Sequence, residues 1–225
     1  MQENNLKGQK ALIIKITTVP MALFALNRGQ GAYMSAKGFQ YKMISADGPE
    51  LENVKQHEKC EHFLVPMTRK ITPLTDLKCL FLLIKILKKE QPAIVHTETP
   101  KAGLLGMAAA RIARVPVRIH TIAGLPVIIA KGAKHLLLSF IEKLIYTNAT
   151  HIIANGPSMR DYVKKHKLTH KRIDIINGGS SNGVDLDFFN KSNMDEARAA
   201  KNCLHVPEDN LTPACFTRSS ILNAG

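Results

Sequence analysis

Two histidines, a carboxylate and an ammonium stand close together in the middle of this 225-residue chain. They are His96, Glu98, Lys101 and His120, within the stretch AIVHTETPKAGLLGMAAARIARVPVRIHTIAGLP at residues 93–126. A neutral imidazole can accept a hydrogen bond from a hydroxyl or orient it, and imidazole is the side chain that titrates nearest neutral pH. A carboxylate can bind hydroxyls or act as a base. An ammonium beside free helix amides is a plausible holder of a phosphate or a second carboxylate. His57, His62, His135, His151, His166, His170 and His205 show no metal-ligand spacing. Cys60, Cys79, Cys203 and Cys215 contain no C-x-x-C pair. They read as reduced thiols of a cytoplasmic protein rather than as a disulfide framework or a zinc site.

The local pattern says how these groups are held. Residues 93–97 form a short apolar run, read as a strand, that ends in His96, Thr97 and Glu98. Thr99-Pro100 is a helix start, with threonine as N-cap and proline at the first helical position. Lys101 then falls in the first turn, where the helix dipole disfavours a cation unless an anion is nearby. Residues 117–121 read as a second strand ending in His120, and Gly124 and Pro126 turn the chain into a loop. Ligands of parallel α/β sheets bind at the carboxyl ends of the strands. Both histidines are expected there.

Further strands are expected at residues 11–16, 39–45, 62–65, 150–154 and 172–176. Helices are expected at 23–36, 50–57, 74–91, 135–146 and 157–167. Gly38 is a C-cap glycine, and Glu142-Lys143 are placed on the polar side of their helix. In 74–91 the residues Leu77, Leu80, Phe81, Ile84 and Leu87 recur at helical spacing, with lysines towards the C-terminus as the dipole prefers. Alternating strands and helices of this kind predict an α/β fold: a Rossmann-like parallel sheet of about seven strands, helices on both faces, right-handed crossovers. Residues 177–183, NGGSSNG, read as a loop, and 194–203 as a last helix before an irregular tail.

Composition sets outer limits. Hydrophobic residues make up 45% and tryptophan is absent, so the core rests on Ile, Leu, Val and Ala; mean hydropathy is near zero. A formal charge of +13 points to an anionic partner, whether nucleic acid, membrane surface or phosphorylated substrate, or to a solvated basic surface. There is no basic stripe with interleaved aromatics, so nucleic acid is not expected. The apolar runs near 77–87 and 136–145 are too short to span a bilayer. The polar N-terminus, followed by a strand-length apolar run, is not expected to act as a signal peptide.

The motif H-T-x-T-P-K-A-G-L-L-G, followed by V-P-V-R-I-H-T-I-A-G-L, closely resembles the family 4 glycosyltransferases of bacterial capsule and exopolysaccharide clusters. TTVPMALFALNRGQ, ISADG, EKLIYTNATHIIA and NGGSSNGVDLDFF resemble the same family in the same order, over roughly residues 10 to 190. The resemblance implies the glycosyltransferase B fold, two Rossmann-like domains facing each other across a cleft. Residues 1–190 would be the N-terminal, acceptor-side domain, and 191–225 a helix and irregular tail where the donor-binding domain would begin. The family's V-G-R strand and Glu-x7-Glu pair do not follow, so a truncation or frameshift near Pro213 is expected, with little or no turnover by this chain alone.

The implied activity is transfer of a sugar from a nucleotide sugar, UDP- or GDP-linked, to a lipid-linked glycan acceptor in cell-surface polysaccharide synthesis. No cofactor and no metal are implied. His120 is the implied catalytic residue, reaching towards the donor sugar. Arg28, Gln30, Arg69, His96, Thr97, Glu98, Lys101 and Gly124 are the implied acceptor-binding residues. A cytoplasmic protein in peripheral contact with the anionic inner membrane would suit the charge. Two other readings stay open: an inactive remnant that binds glycan or lipid pyrophosphate, and a basic α/β binding module for another phosphorylated ligand.

Overall fold

The structure is a computed structural model that describes residues 10–179. In chain order its elements are β1 (Leu12–Ile16), α1 (Pro20–Leu26), α2 (Gln30–Ala36), β2 (Gln40–Ser45), α3 (Leu51–Glu58), β3 (Glu61–Leu64) and α4 (Pro73–Glu90). There follow β4 (Ile94–Thr97), α5 (Pro100–Ile112), β5 (Val117–Ile122), a 3-10 turn at Pro126–Ile128, α6 (Gly132–Asn148), β6 (His151–Ala154), α7 (Pro157–Lys165) and β7 (Ile173–Asp174). The seven strands form one sheet in the order β3-β2-β1-β4-β5-β6-β7, and every pair is parallel.

Side chains alternate across a strand, and this divides β1 between two cores. Ile14 and Ile16 pack with Leu83 of α4 and Leu105 of α5. Ile13 packs with Leu23, Met43 and Val54 towards α1 and α3. All five residues of β1 are buried, as in a strand covered on both faces. The strand order runs outwards in both directions from β1 and β4. In open α/β sheets the crevice beyond the carboxyl ends of such a pair is where ligands sit.

Two expectations change. The helix expected over 23–36 is two short helices, α1 and α2, separated at Asn27, Arg28 and Gly29. Gly29 has φ 78°, and the carboxylate of Glu58 accepts from Gly29 N–H at 2.6 Å and from Gly31 N–H at 2.7 Å. Those amides begin α2, so a side chain of α3 caps it from across the layer. The second change is Glu142, expected on the polar side of its helix. It is buried, and α6 starts earlier than expected, at Gly132. The expected helix at 194–203, the tail and most of the 177–183 loop lie outside the described residues.

Candidate functional site

The carboxyl ends of β1 and β4 are tied together directly. Thr18 N–H donates to Thr99 Oγ1 at 3.0 Å, and the two hydroxyls are 2.6 Å apart. Thr99 is the N-cap of α5 by position, but its side chain makes no capping bond. The hydroxyl joins two loops at the strand-order reversal instead.

Beneath this junction is a buried polar cluster that begins with Lys15. The side chain of Lys15 is 0% exposed, and its Nζ lies 3.3 Å from Glu98 Oε1 and 3.2 Å from His96 Nδ1. Asn27 Nδ2 donates to the other Glu98 oxygen at 2.7 Å and to the Ala22 carbonyl at 3.2 Å. His96 Nε2 is 2.8 Å from Thr121 Oγ1. β1, α1, β4 and β5 are thereby linked through one charge pair. Burial lowers the Lys15 pKa from 10.5 to about 8, against the opposing pull of Glu98. His96 is held well below its ordinary value, by burial first and by the Lys15 charge second. It stays a neutral imidazole.

His120 lies on the other face of the sheet. In the β4–β5 register Thr97 stands opposite His120, and alternation sends His96 and Thr97 to opposite faces. His120 Nδ1 is 2.8 Å from Thr97 Oγ1, and its ring centroid is 6.2 Å from that of Tyr146 of α6. The residue is 3% exposed, and burial lowers its pKa to about 3, with Lys15 adding to the effect. Helix α5 presses on this pair through two glycines. A Cβ at Gly103 would stand 2.6 Å from His120 Cε1, and one at Gly106 would stand 2.8 Å from Thr97 Cγ2. The G-L-L-G spacing, one helical turn, lets α5 lie against β4 and β5.

The expected site residues therefore fall into two groups. His96, Thr97, Glu98 and His120 come together at the ends of β4 and β5, but they face inwards with protein partners. Lys101 also has one: it donates to Asp76 Oδ2 of α4 at 2.5 Å. Its partner anion in the first helical turn is thus a side chain of the protein. Gln30 accepts from the Tyr41 hydroxyl at 2.9 Å. Arg28, Arg69 and Gly124 are exposed: Arg28 in the break between α1 and α2, Arg69 in the loop after β3 and Gly124 in the loop after β5. Gly124 would meet nothing within 4 Å if it carried a Cβ. Among the described residues, no group of three His, Cys, Asp or Glu could hold a metal. No described helix is long and apolar enough to cross a membrane. A surface pocket bordered by Leu87, Gln91, Ala113 and Pro116 lies at the amino ends of β4 and β5, away from these residues.

Sequence reasoning missed Lys15, Asn27 and Glu58. The first had a signal: a lone lysine inside LIIKI, in a strand expected to be covered on both faces, has to meet a buried carboxylate or lose its charge.

Comparison with known proteins places this geometry. Residues 30–188 match the family model described as Glycosyltransferase Family 4. The chain is 36% identical over 189 residues to the capsular polysaccharide biosynthesis glycosyltransferase CapM of Staphylococcus aureus, covering 84% of this chain and 48% of that protein. It is 34% identical over 164 residues to the UDP-Gal:alpha-D-GlcNAc-diphosphoundecaprenol alpha-1,3-galactosyltransferase of Escherichia coli, covering 70% of this chain and 41% of that protein. The chain thus spans about half the length of the curated relatives it matches. A glycosyltransferase crystal structure from Rickettsia africae superposes with a TM-score of 0.60 at 18% identity, over 89% of this chain and 51% of that one. That likeness establishes the fold, a parallel sheet of the glycosyltransferase B type.

Proposed function

This chain belongs to Glycosyltransferase Family 4, and we propose that residues 1–190 are the acceptor-side domain of a sugar transferase of cell-surface polysaccharide assembly. The reaction moves a sugar from a UDP- or GDP-sugar to a lipid-linked glycan. The observation that carries the reading is the 36% identity over 189 residues with a capsular polysaccharide glycosyltransferase. The diphosphoundecaprenol acceptor in the name of the Escherichia coli relative supports a lipid diphosphate as the class of acceptor.

Arg28, Arg69 and Gly124 are the direct acceptor contacts in this proposal. The two guanidiniums are free to take phosphate or glycan hydroxyls, and Gly124 leaves backbone open to close approach. His96, Glu98 and Lys101 act from beneath, by fixing the loops at the ends of β1 and β4, and Gln30 by fixing the start of α2. Thr97 and His120 do the same for the end of β5. His120 serves as a neutral imidazole in a narrower role than direct contact with the donor sugar, because it is buried against α5. Donor and acceptor would meet above this edge, held in reacting order by the two domains of the fold.

The test is transfer and hydrolysis by the purified chain with UDP-, GDP- and dTDP-sugars and a polyprenyl-diphosphate-sugar acceptor. Transfer, or acceptor binding without transfer, that is lost on Arg69→Ala supports the proposal. Neither turnover nor acceptor binding by a folded protein refutes it.

A further inference from the structure

We propose that Asp76 is the positioning residue of the loop that carries Arg69, and that through Arg69 it sets the affinity for the acceptor diphosphate. This rests on the acceptor reading above, in which Arg69 takes phosphate or glycan hydroxyls directly.

Packing does not hold this loop. After β3 the chain is anchored by Val65 and Met67, both buried, and the next buried residue is Cys79 on α4. Between these anchors Arg69, Lys70, Ile71, Pro73 and Leu74 are exposed, Ile71 to 63% and Leu74 to 81%. A segment with so little apolar burial opens locally at low free energy unless polar ties close it. An arginine on an open segment has to be ordered by its ligand, at a cost in affinity.

The polar ties converge on one carboxylate. Asp76 Oδ1 accepts from Thr72 Oγ1 at 3.0 Å, and Oδ2 accepts from Thr72 N–H at 3.2 Å. Oδ2 also accepts from Lys101 Nζ, in the first turn of α5. With its own proton given to Asp76, the Thr72 hydroxyl accepts from Thr68 Oγ1 at 3.1 Å, which also lies 3.1 Å from the Lys70 carbonyl. These bonds bracket Arg69. Thr68 precedes it, Lys70 and Thr72 follow it, and the chain of contacts ends on Asp76.

A helix cap alone would need less. An acid in the first turn of α4 answers the helix dipole, and a bond from Thr72 N–H satisfies a free amide at the helix start. Neither requires Lys101. The side chains of Lys101 and Asp76 are only 10% and 15% exposed, so solvent screens their attraction less than that of a surface pair. The pair therefore ties the Arg69 loop to the first turn of α5, the helix that leaves the carboxyl end of β4. The backbone of Arg69 is held in place relative to that edge before any ligand arrives.

The test is equilibrium binding of a short-chain polyprenyl-diphosphate sugar to the full chain in detergent, with thermal unfolding measured beside it. The variants are Asp76→Asn, Arg69→Ala and the two combined. Asp76→Asn keeps the size of the side chain but loses its charge and one acceptor oxygen, and it weakens binding about fivefold. Added to Arg69→Ala it weakens binding little further, because no guanidinium is left to position. Thr72→Val leaves the Asp76–Lys101 pair in place and carries the test if Asp76→Asn does not fold. It weakens binding and speeds hydrogen exchange at the amide of residue 72, and Thr72→Ser restores both. Asp174→Asn, in the edge strand β7 and paired with Arg172 on the surface, binds as wild type. Losses from Asp76→Asn and Arg69→Ala that multiply, Thr72→Val that binds as wild type, or lower thermal stability with unchanged affinity each overturn the proposal and leave the acceptor reading standing. A folded wild type that does not bind the acceptor overturns both.

Discussion

Lys15→Met removes a charge from the centre of the sheet, where nothing else can replace it. The Lys15 side chain is 0% exposed and that of Glu98 2%, with 3.3 Å between Nζ and Oε1. Without the ammonium, the Glu98 carboxylate keeps the Asn27 amide at 2.7 Å but has lost its countercharge in a dry site. Breaking a buried pair from one side costs about 3–5 kcal/mol. With a urea slope of about 2 kcal/mol per M, the unfolding midpoint should fall by about 1.5–2.5 M. Adding Glu98→Gln removes the orphaned charge, keeps an acceptor for Asn27, and should restore at least half of the loss. The pH dependence checks the same residue. The folded pKa is about 8 against 10.5 for a free lysine, so the folded state releases its proton first as pH rises. The contribution of Lys15 to stability therefore increases between about pH 8 and 10.5, and it is read as the difference between the wild-type and Lys15→Met profiles. Urea titrations followed by circular dichroism measure all of this. A single variant within about 1 kcal/mol of wild type, with no recovery in the double variant, would refute the paired-charge reasoning.

Other outcomes follow from the same packing. Glu142 has its pKa raised from 4.5 to about 7 by burial, so the folded state holds a proton that the unfolded state gives up. The contribution of Glu142 to stability should fall by about 3 kcal/mol as pH rises through that window and then level off; thermal melts from pH 4 to 8 read it as the difference between wild type and Glu142→Gln, since the buried His96 and His120 add the same opposite trend to both. Gly103→Ala would place a methyl 2.6 Å from His120 Cε1 and should cost about 1–3 kcal/mol, with the His120 imidazole resonances moving in NMR spectra. Gly124→Ala, with open space around it, should leave stability within about 0.5 kcal/mol. Glu58→Ala removes the acceptor of two amide bonds at the start of α2 and should cost about 2 kcal/mol, read as faster hydrogen exchange at Gly29 and Gly31.

Much of this fold was legible because a parallel sheet writes itself as apolar runs at regular spacing. The runs ending at Ile16, Ser45, Thr97 and Thr121 each became a strand or all but its last residue. Helix breaks were harder to see. The division of α1 from α2 depends on Glu58, a residue some 30 positions away whose carboxylate reaches Gly29 and Gly31. Local pattern carries no trace of that contact. The candidate residues were identifiable by type, but not by direction. His96 and His120 both end strands, yet the period-2 alternation places them on opposite faces, visible only once the register of Thr97 with His120 is known. Lys101 looked like an anion holder because a cation in a first helical turn needs one, and the anion turned out to be Asp76 of the preceding helix. The glycines of G-L-L-G read as family signature, while their physical role is the close seat of α5 on Thr97 and His120.

The central claim is that the edge formed by the ends of β1, β3, β4 and β5 receives a lipid-linked glycan. Its most direct measurement is equilibrium binding of a short-chain polyprenyl-diphosphate sugar to the purified chain in detergent, alongside Arg28→Ala and Arg69→Ala. Saturable binding that each substitution weakens at least fivefold, with unchanged thermal unfolding, is the result expected. Failure of the folded protein to bind that acceptor, or binding indifferent to both arginines, would contradict it.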